Sequence, residues 1–309
     1  MIIVNVMLAI GIQYMQSKPI LRLGFTDYFG TLDDFFIDTL SKKYDIIRDD
    51  DNPDYLIFCD ETFGVKNRLF NAKHNVKIFF TGENRRPQNY NCHFAITFDH
   101  LDMPRHYRMP LYVLDNWVHI NKIDLPDIRD VLRTGTASDK TSFCSFIVAN
   151  GSCAERNDAF HFISKYKMID SGGPLFNNTG YVLPRDGINA QKTKFEFMRS
   201  HKFNLCYENG SHPGYVTEKL FHALYMNTIP IYWGSPTVEM DFNSKAFISR
   251  HNYETDADML EHIISLDTND DNYNEMLSQP ILNPNNKVLD LNRFNTWFDN
   301  NVYRGVINK

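Results

Sequence analysis

The stretch 203–234, FNLCYENGSHPGYVTEKLFHALYMNTIPIYWG, constrains the fold of this chain more than any other part of it. Residues 203–207 are a short apolar run closed by Glu208-Asn209-Gly210, the pattern of a buried parallel strand. Gly210, Pro213 and Gly214 make a turn. From 216 to 227 a helical period puts Val216, Leu220, Ala223, Leu224 and Asn227 on one face. Residues 229–233 are a second strand, ended by Gly234-Ser235-Pro236. Strand, loop, helix and strand in that order make a right-handed crossover. Ligands of such units lie beyond the carboxyl ends of the strands, near helix N-termini. That position holds Glu208, Asn209, Tyr215, Thr217, Glu218 and Lys219. An acid beside a base at a helix start suits a phosphate that carries a hydroxylated group.

The same alternation runs through the rest of the chain. Strands are expected at 20–25, 55–59, 76–80 and 94–98, with a helix at 32–40, which implies a parallel sheet in the first hundred residues. The acidic run 49–51 is expected to be a solvated turn. The strand at 76–80 ends in Thr81-Gly82-Glu83-Asn84, and Arg85-Arg86-Pro87 prevents a helix from following. Glu83 is therefore placed at the edge of a cleft. Residues 99–110 are expected to be a mixed loop; His93, His100 and His106 have no zinc-site spacing. Charge collects in 122–140, the expected linker, and the pattern restarts with a strand at 143–149 and a helix at 155–166. Arg156 stands in the first turn of that helix, where a cation opposes the helix dipole unless an anion is bound. A strand at 168–173, a helix at 189–199, a short strand at 246–249, a helix at 256–264 and an amphipathic segment at 294–303 complete the series.

Composition narrows the chemistry. At 309 residues the chain is long enough for two domains, and a net charge of −6 argues against a nucleic-acid partner. The five cysteines form no C-x-x-C pair, and Cys59, Cys144 and Cys206 lie in apolar runs, as buried thiols of a reducing compartment do. Asn150, Asn177 and Asn209 match the N-glycosylation pattern; a glycan on Asn209 would obstruct the candidate site. Residues 1–15 are apolar but shorter than the roughly 20 residues of a membrane span, and are expected to pack as a strand or helix. There is no G-x-G-x-x-G after a strand, no P-loop, no G-x-S-x-G and no H-E-x-x-H. No Asp-x-Asp ends a strand. What remains suits a sugar-nucleotide transferase that neutralises a diphosphate leaving group with cations, Arg156 and Lys219.

The motifs CYEN, GYVTEKL, IPIYWGSP and FNSKAFI, all within 203–248, resemble the signature region of the α1,3-fucosyltransferases of glycosyltransferase family 10, above all the bacterial enzymes that build Lewis-type antigens. The resemblance extends to 79–112 and 145–160. It implies an α/β chain of the GT-B fold, two Rossmann-like domains facing across a cleft. Residues 1–135 would bind the acceptor and 136–285 GDP-fucose, with a tail at 286–309 packing back across them. It implies inverting, metal-independent transfer of L-fucose from GDP-fucose to the 3-OH of N-acetylglucosamine in a LacNAc- or lactose-type glycan, with no cofactor. By that resemblance Glu83 is the general base and Glu218 assists loss of GDP. Arg156 and Lys219 neutralise the diphosphate, and Asn209 and Tyr215 bind the donor. The implied location is the cytoplasm, at most peripheral to the inner membrane.

Three positions depart from the family pattern. Gly214 stands where many members have Asp, Phe80 where some have Tyr, and neither heptad repeats nor a basic amphipathic tail is present by Lys309. Two other readings stay open: a related GT-B transferase with another nucleotide sugar or acceptor, and a catalytically silent glycan-binding protein.

Overall fold

Strands buried on both faces read as near-continuous apolar runs, and the central strands here do: Tyr55–Phe58 and Phe94–Thr97 are buried throughout, with Thr97 the one polar side chain of the second. The computed structural model describes residues 17–185 and 187–304. The expectation for 1–15 falls outside them. Among the described residues, no helix is long and apolar enough to cross a membrane.

In chain order the elements are β1 (Ile20–Thr26), α1 (Leu32–Ser41), β2 (Asp45–Arg48), β3 (Tyr55–Phe58), β4 (Val76–Phe80), β5 (Phe94–Thr97), β6 (His106–Arg108) and α2 (Leu111–Lys122). There follow β7 (Ser142–Phe146), α3 (Ala154–Ile163), β8 (Ile169–Ser171), α4 (Ile188–Arg199), β9 (His201–Leu205), α5 (Glu218–Tyr225), β10 (Ile229–Tyr232) and β11 (Ile248–Ser249). Helices α6 (Asp256–Thr268), α7 (Asp270–Leu277) and α8 (Leu291–Trp297) end the series, the last running on as a wider turn over Phe298–Tyr303.

Two sheets form, ordered β2-β1-β3-β4-β5-β6 and β11-β10-β9-β7-β8. Every strand pair within them is parallel. Renumbered from its own first strand, the second sheet repeats the order 2-1-3-4-5 with which the first begins. The strand order reverses at β1/β3 and at β7/β9, and the crevice at such a reversal is where ligands bind. The expected α/β, GT-B architecture is present.

The sequence reading differs from the structure in a few places. The loop expected at 99–110 contains β6, which pairs with β5 through Ala95–His106 and its neighbours. Helices α2 and α7 were not anticipated. Helix α5 begins at Glu218, two residues later than its apolar period suggests. Thr217 caps it by accepting from the Lys219 N–H, leaving Val216 outside.

The two halves share one hydrophobic core. Tyr112, Val113 and Trp117 of α2 belong to the same buried cluster as Leu220, Phe221 and Leu224 of α5. Arg108 clamps Asp241 with two hydrogen bonds, at 2.9 and 2.6 Å. The chain then returns to the first half. Phe294 packs on Phe36, with ring centroids 5.8 Å apart, and Tyr44 donates to Asp299 at 2.8 Å.

Candidate active site

A carboxylate without solvent contact organises the second half's share of the cleft. Glu208 follows β9 and is fully buried. It accepts hydrogen bonds from the Thr217 N–H at 2.8 Å and the Thr217 hydroxyl at 2.7 Å, and pairs with the Lys219 ammonium at 3.2 Å. Burial pushes the Glu208 carboxyl up, while Lys219 and the Thr217 bonds oppose the rise. This one side chain therefore sets where α5 begins and where Lys219 points. It fits beneath Gly234, where any side chain would collide with Glu208 and Tyr232.

Glu218 and Lys219 stand at the start of α5, and both line the cleft. Lys219 lies 3.4 Å from Glu218. Burial works to lower the Lys219 ammonium, but Glu218 and Glu208 outweigh it and hold it well above the usual lysine range. Burial alone would raise the Glu218 carboxyl; Lys219 and Lys194 of α4 outweigh it and hold Glu218 below the usual carboxylate range. The two thus form a fixed ion pair at a helix N-terminus, in a position to meet both a phosphate and a developing positive charge.

Glu83 comes from the other half. No α-helix follows it, only a short 3-10 turn over Pro87–Asn89, and Glu83 lines the same cleft. Crowding by the cleft walls pushes it up, Lys219 draws it down, and Glu218 and Asp60 push it up again. The net shift is upward. Lys219 of the second half thus acts on the charge of Glu83 in the first.

Asn209 and Tyr215 also line the cleft. The Tyr215 ring packs on Phe98 of the first half, at 5.0 Å between centroids. Its buried hydroxyl has no hydrogen-bond partner among the described residues. Arg156 departs from expectation. It is fully buried and is absent from the cleft wall. Its guanidinium donates to the Asn209 side chain at 2.8 Å, the Tyr207 carbonyl at 3.3 Å and the Asn150 carbonyl at 2.5 Å. These oxygens at the ends of β7 and β9 draw the cation inward, behind Asn209. Its Nε is buried and has no partner among the described residues, and burial lowers the guanidinium below the usual arginine value.

Several cleft residues carried no legible signal. Asp115 of α2 lines the cleft, and its carboxyl is pushed up by burial and by Glu218. Lys194 donates to His222 at 3.1 Å, and Gln191 lies 3.2 Å from His119. Both side chains stand on the cleft-lining face of α4. The cavity these residues enclose measures about 760 Å³. Its walls include residues past β1, β7 and β9, at the two reversals of strand order, and past β8 beside them. Among the described residues, no group of three or more His, Cys, Asp or Glu side chains could hold a metal ion.

Comparison with known proteins agrees with this architecture. Residues 21–115 match the family described as the α-(1,3)-fucosyltransferase FucT N-terminal domain. Residues 137–278 match the glycosyltransferase family 10 (fucosyltransferase) C-terminal region. The α-(1,3)-fucosyltransferase FucT of Helicobacter pylori is 31% identical over 88% of this chain, and the chain spans 63% of that relative's length. α-(1,3)-Fucosyltransferase B of Drosophila melanogaster is 32% identical over 38% of this chain and 28% of its own length. A crystal structure of an α1,3-fucosyltransferase superposes with a TM-score of 0.76 at 26% identity, covering 92% of this chain and 90% of that one. Another, with GDP-fucose, gives 0.72 at 26% identity and covers 93% of each chain. By its matched sequence and its fold, the chain belongs to glycosyltransferase family 10, the fucosyltransferases.

Proposed function

We propose that this chain transfers L-fucose from GDP-fucose to the 3-OH of N-acetylglucosamine in a LacNAc- or lactose-type glycan, with inversion at the sugar and without a metal ion. The observation that carries the reading is the opposition of Glu83 on one cleft wall to the Glu218–Lys219 pair on the other. A single displacement needs a base on the face opposite the leaving group. Glu83 takes the proton from the acceptor hydroxyl as that oxygen bonds to the fucose anomeric carbon, and the bond from that carbon to the GDP phosphate oxygen breaks. Negative charge then gathers on the departing diphosphate, which Lys219 and the start of α5 stabilise. Glu218 offsets the positive charge on the sugar, by analogy with the hydrolases. Asn209 and the free Tyr215 hydroxyl bind the donor, and Arg156 adds its positive charge from behind Asn209. The cysteines among the described residues are free thiols, which suits work in the cytoplasm.

The test is Glu83→Gln. It is expected to lower transfer by roughly 10²–10⁴-fold while GDP still binds. Full activity in that variant, or loss of GDP binding in a folded one, would overturn the assignment. Transfer should persist in EDTA; strict dependence on a divalent ion would remove the metal-free reading. GDP should raise the melting temperature where UDP and CMP do not, since a ligand at 100 times its Kd stabilises by about 2.7 kcal/mol. GDP release on adding donor and acceptor separates an enzyme from a silent glycan binder.

A further inference from the structure

Asp60 follows β3, the strand beside the one that delivers Glu83. It is 1% exposed. Its Oδ1 accepts the Thr62 N–H at 3.0 Å, and its Oδ2 accepts from the Thr81 hydroxyl at 3.3 Å. The same Thr81 oxygen accepts the Glu83 N–H at 3.0 Å and lies 3.4 Å from the Glu83 carbonyl. Side chain, hydroxyl and backbone thus form a short relay from the end of β3 to the residue after Gly82. A turn at Asp60 needs an acceptor oxygen and nothing more, which asparagine supplies. A buried carboxylate is costly, so the charge itself calls for a reason.

We propose that Asp60 is a positioning residue for transfer: through the Thr81 hydroxyl it holds the loop that carries Glu83, and it places a second negative charge behind that side chain. The inference rests on the reading of Glu83 as the base. The charged groups facing Glu83 are Lys219 and Glu218 from α5, Asp60 from the end of β3, and Arg85 from its own loop. Lys219 and Arg85 favour the ionised form; Glu218 and Asp60 favour the protonated one. A base whose proton affinity is raised toward the working pH transfers protons more effectively. Asp60 supplies part of that rise without touching substrate.

The experiment compares pH profiles of kcat/KM for the acceptor in the wild type, Asp60→Asn, Thr81→Val, Thr81→Ser and Glu83→Gln. Asp60→Asn keeps the turn oxygen and removes the charge, so the acid limb should move to lower pH by roughly half a unit or more. Thr81→Val cuts the relay and should lower kcat by about tenfold with KM for GDP-fucose unchanged, and Thr81→Ser should restore it. An Asp60→Asn profile superimposed on the wild type overturns the proposal, as does full activity in Thr81→Val, and Asp60 is then a turn cap only. If Asp60→Asn does not fold, the Thr81 pair decides alone through its kcat against KM split. Wild-type activity in Glu83→Gln would instead overturn the base assignment, a result distinct from either failure.

Discussion

Glu208 shows how a single side chain sets the geometry of a site it never exposes. Its oxygens hold the Thr217 cap and the Lys219 ammonium together. Glu208→Gln is expected to lower unfolding stability by about 1.5–3 kcal/mol, because the neutral amide gives up one of the two charged acceptors that hold Thr217 and Lys219, while Glu218 still pairs with Lys219; urea unfolding measures it. Gly214 makes the opposite point. Its φ is +84°, and any side chain would meet the Phe98 carbonyl of the first half. The missing aspartate is therefore more than a lost contact. Gly214→Asp should destabilise the fold by about 1–3 kcal/mol through left-handed backbone strain, with a lower melting temperature as the readout. Glu83, Glu218, Lys219, Asn209 and Tyr215 were legible because strand ends and helix starts of an α/β chain face its crevice, and the structure puts all five on it. Asp60 and the organising role of Glu208 were not, since burial of a carboxylate depends on what folds over it. The inward turn of Arg156 escaped for the same reason.

At the level of elements, α2, α4 and α5 meet around a pair of stacked imidazoles. His119 and His222 lie 5.2 Å apart with ring planes 10° from parallel, and both are buried. Burial, then Lys194, lowers His119 from the usual 6.5 to about 4. His222 is also lowered, well below its usual value, by burial, Lys194, His119 and Lys219. Depressed histidines bind fewer protons folded than unfolded, so their stability contribution is complete above the unfolded value near 6.5 and fades as pH falls toward 4. Urea midpoints across that window should show a shallower pH dependence in His119→Phe, by up to about 1.4 kcal/mol per pH unit. A superimposable dependence would contradict the assignment. Helix α2 was hard to read because its start lacks every usual signal. Pro110 precedes it, no side chain caps it, and its first turn holds no acid. Helix α7 buries only Tyr273 and Leu277, too few to show a period. The other helices and most strands were recovered to within a few residues, since caps, glycines and apolar runs mark them.

At the scale of the molecule, two sheets repeat one strand order although the sequence shows no internal repeat. Connection rules restrict the order of strands without restricting their residues. The shared core of α2 and α5 couples the halves, so calorimetry should record one unfolding transition; two resolved transitions would contradict the coupling. The return of the chain to its first half has a consequence for biosynthesis. Phe36, Tyr44 and Tyr55 are covered by Phe294, Phe298 and Tyr303, residues made about 250 positions later. A ribosome that has released the first sheet still withholds its cover, so that apolar face waits, unfinished, while the second sheet is translated. Domains otherwise fold in order of emergence. Here the earliest strands are completed last, and stalling before α8 should leave a nascent chain that chaperones bind and proteases cut.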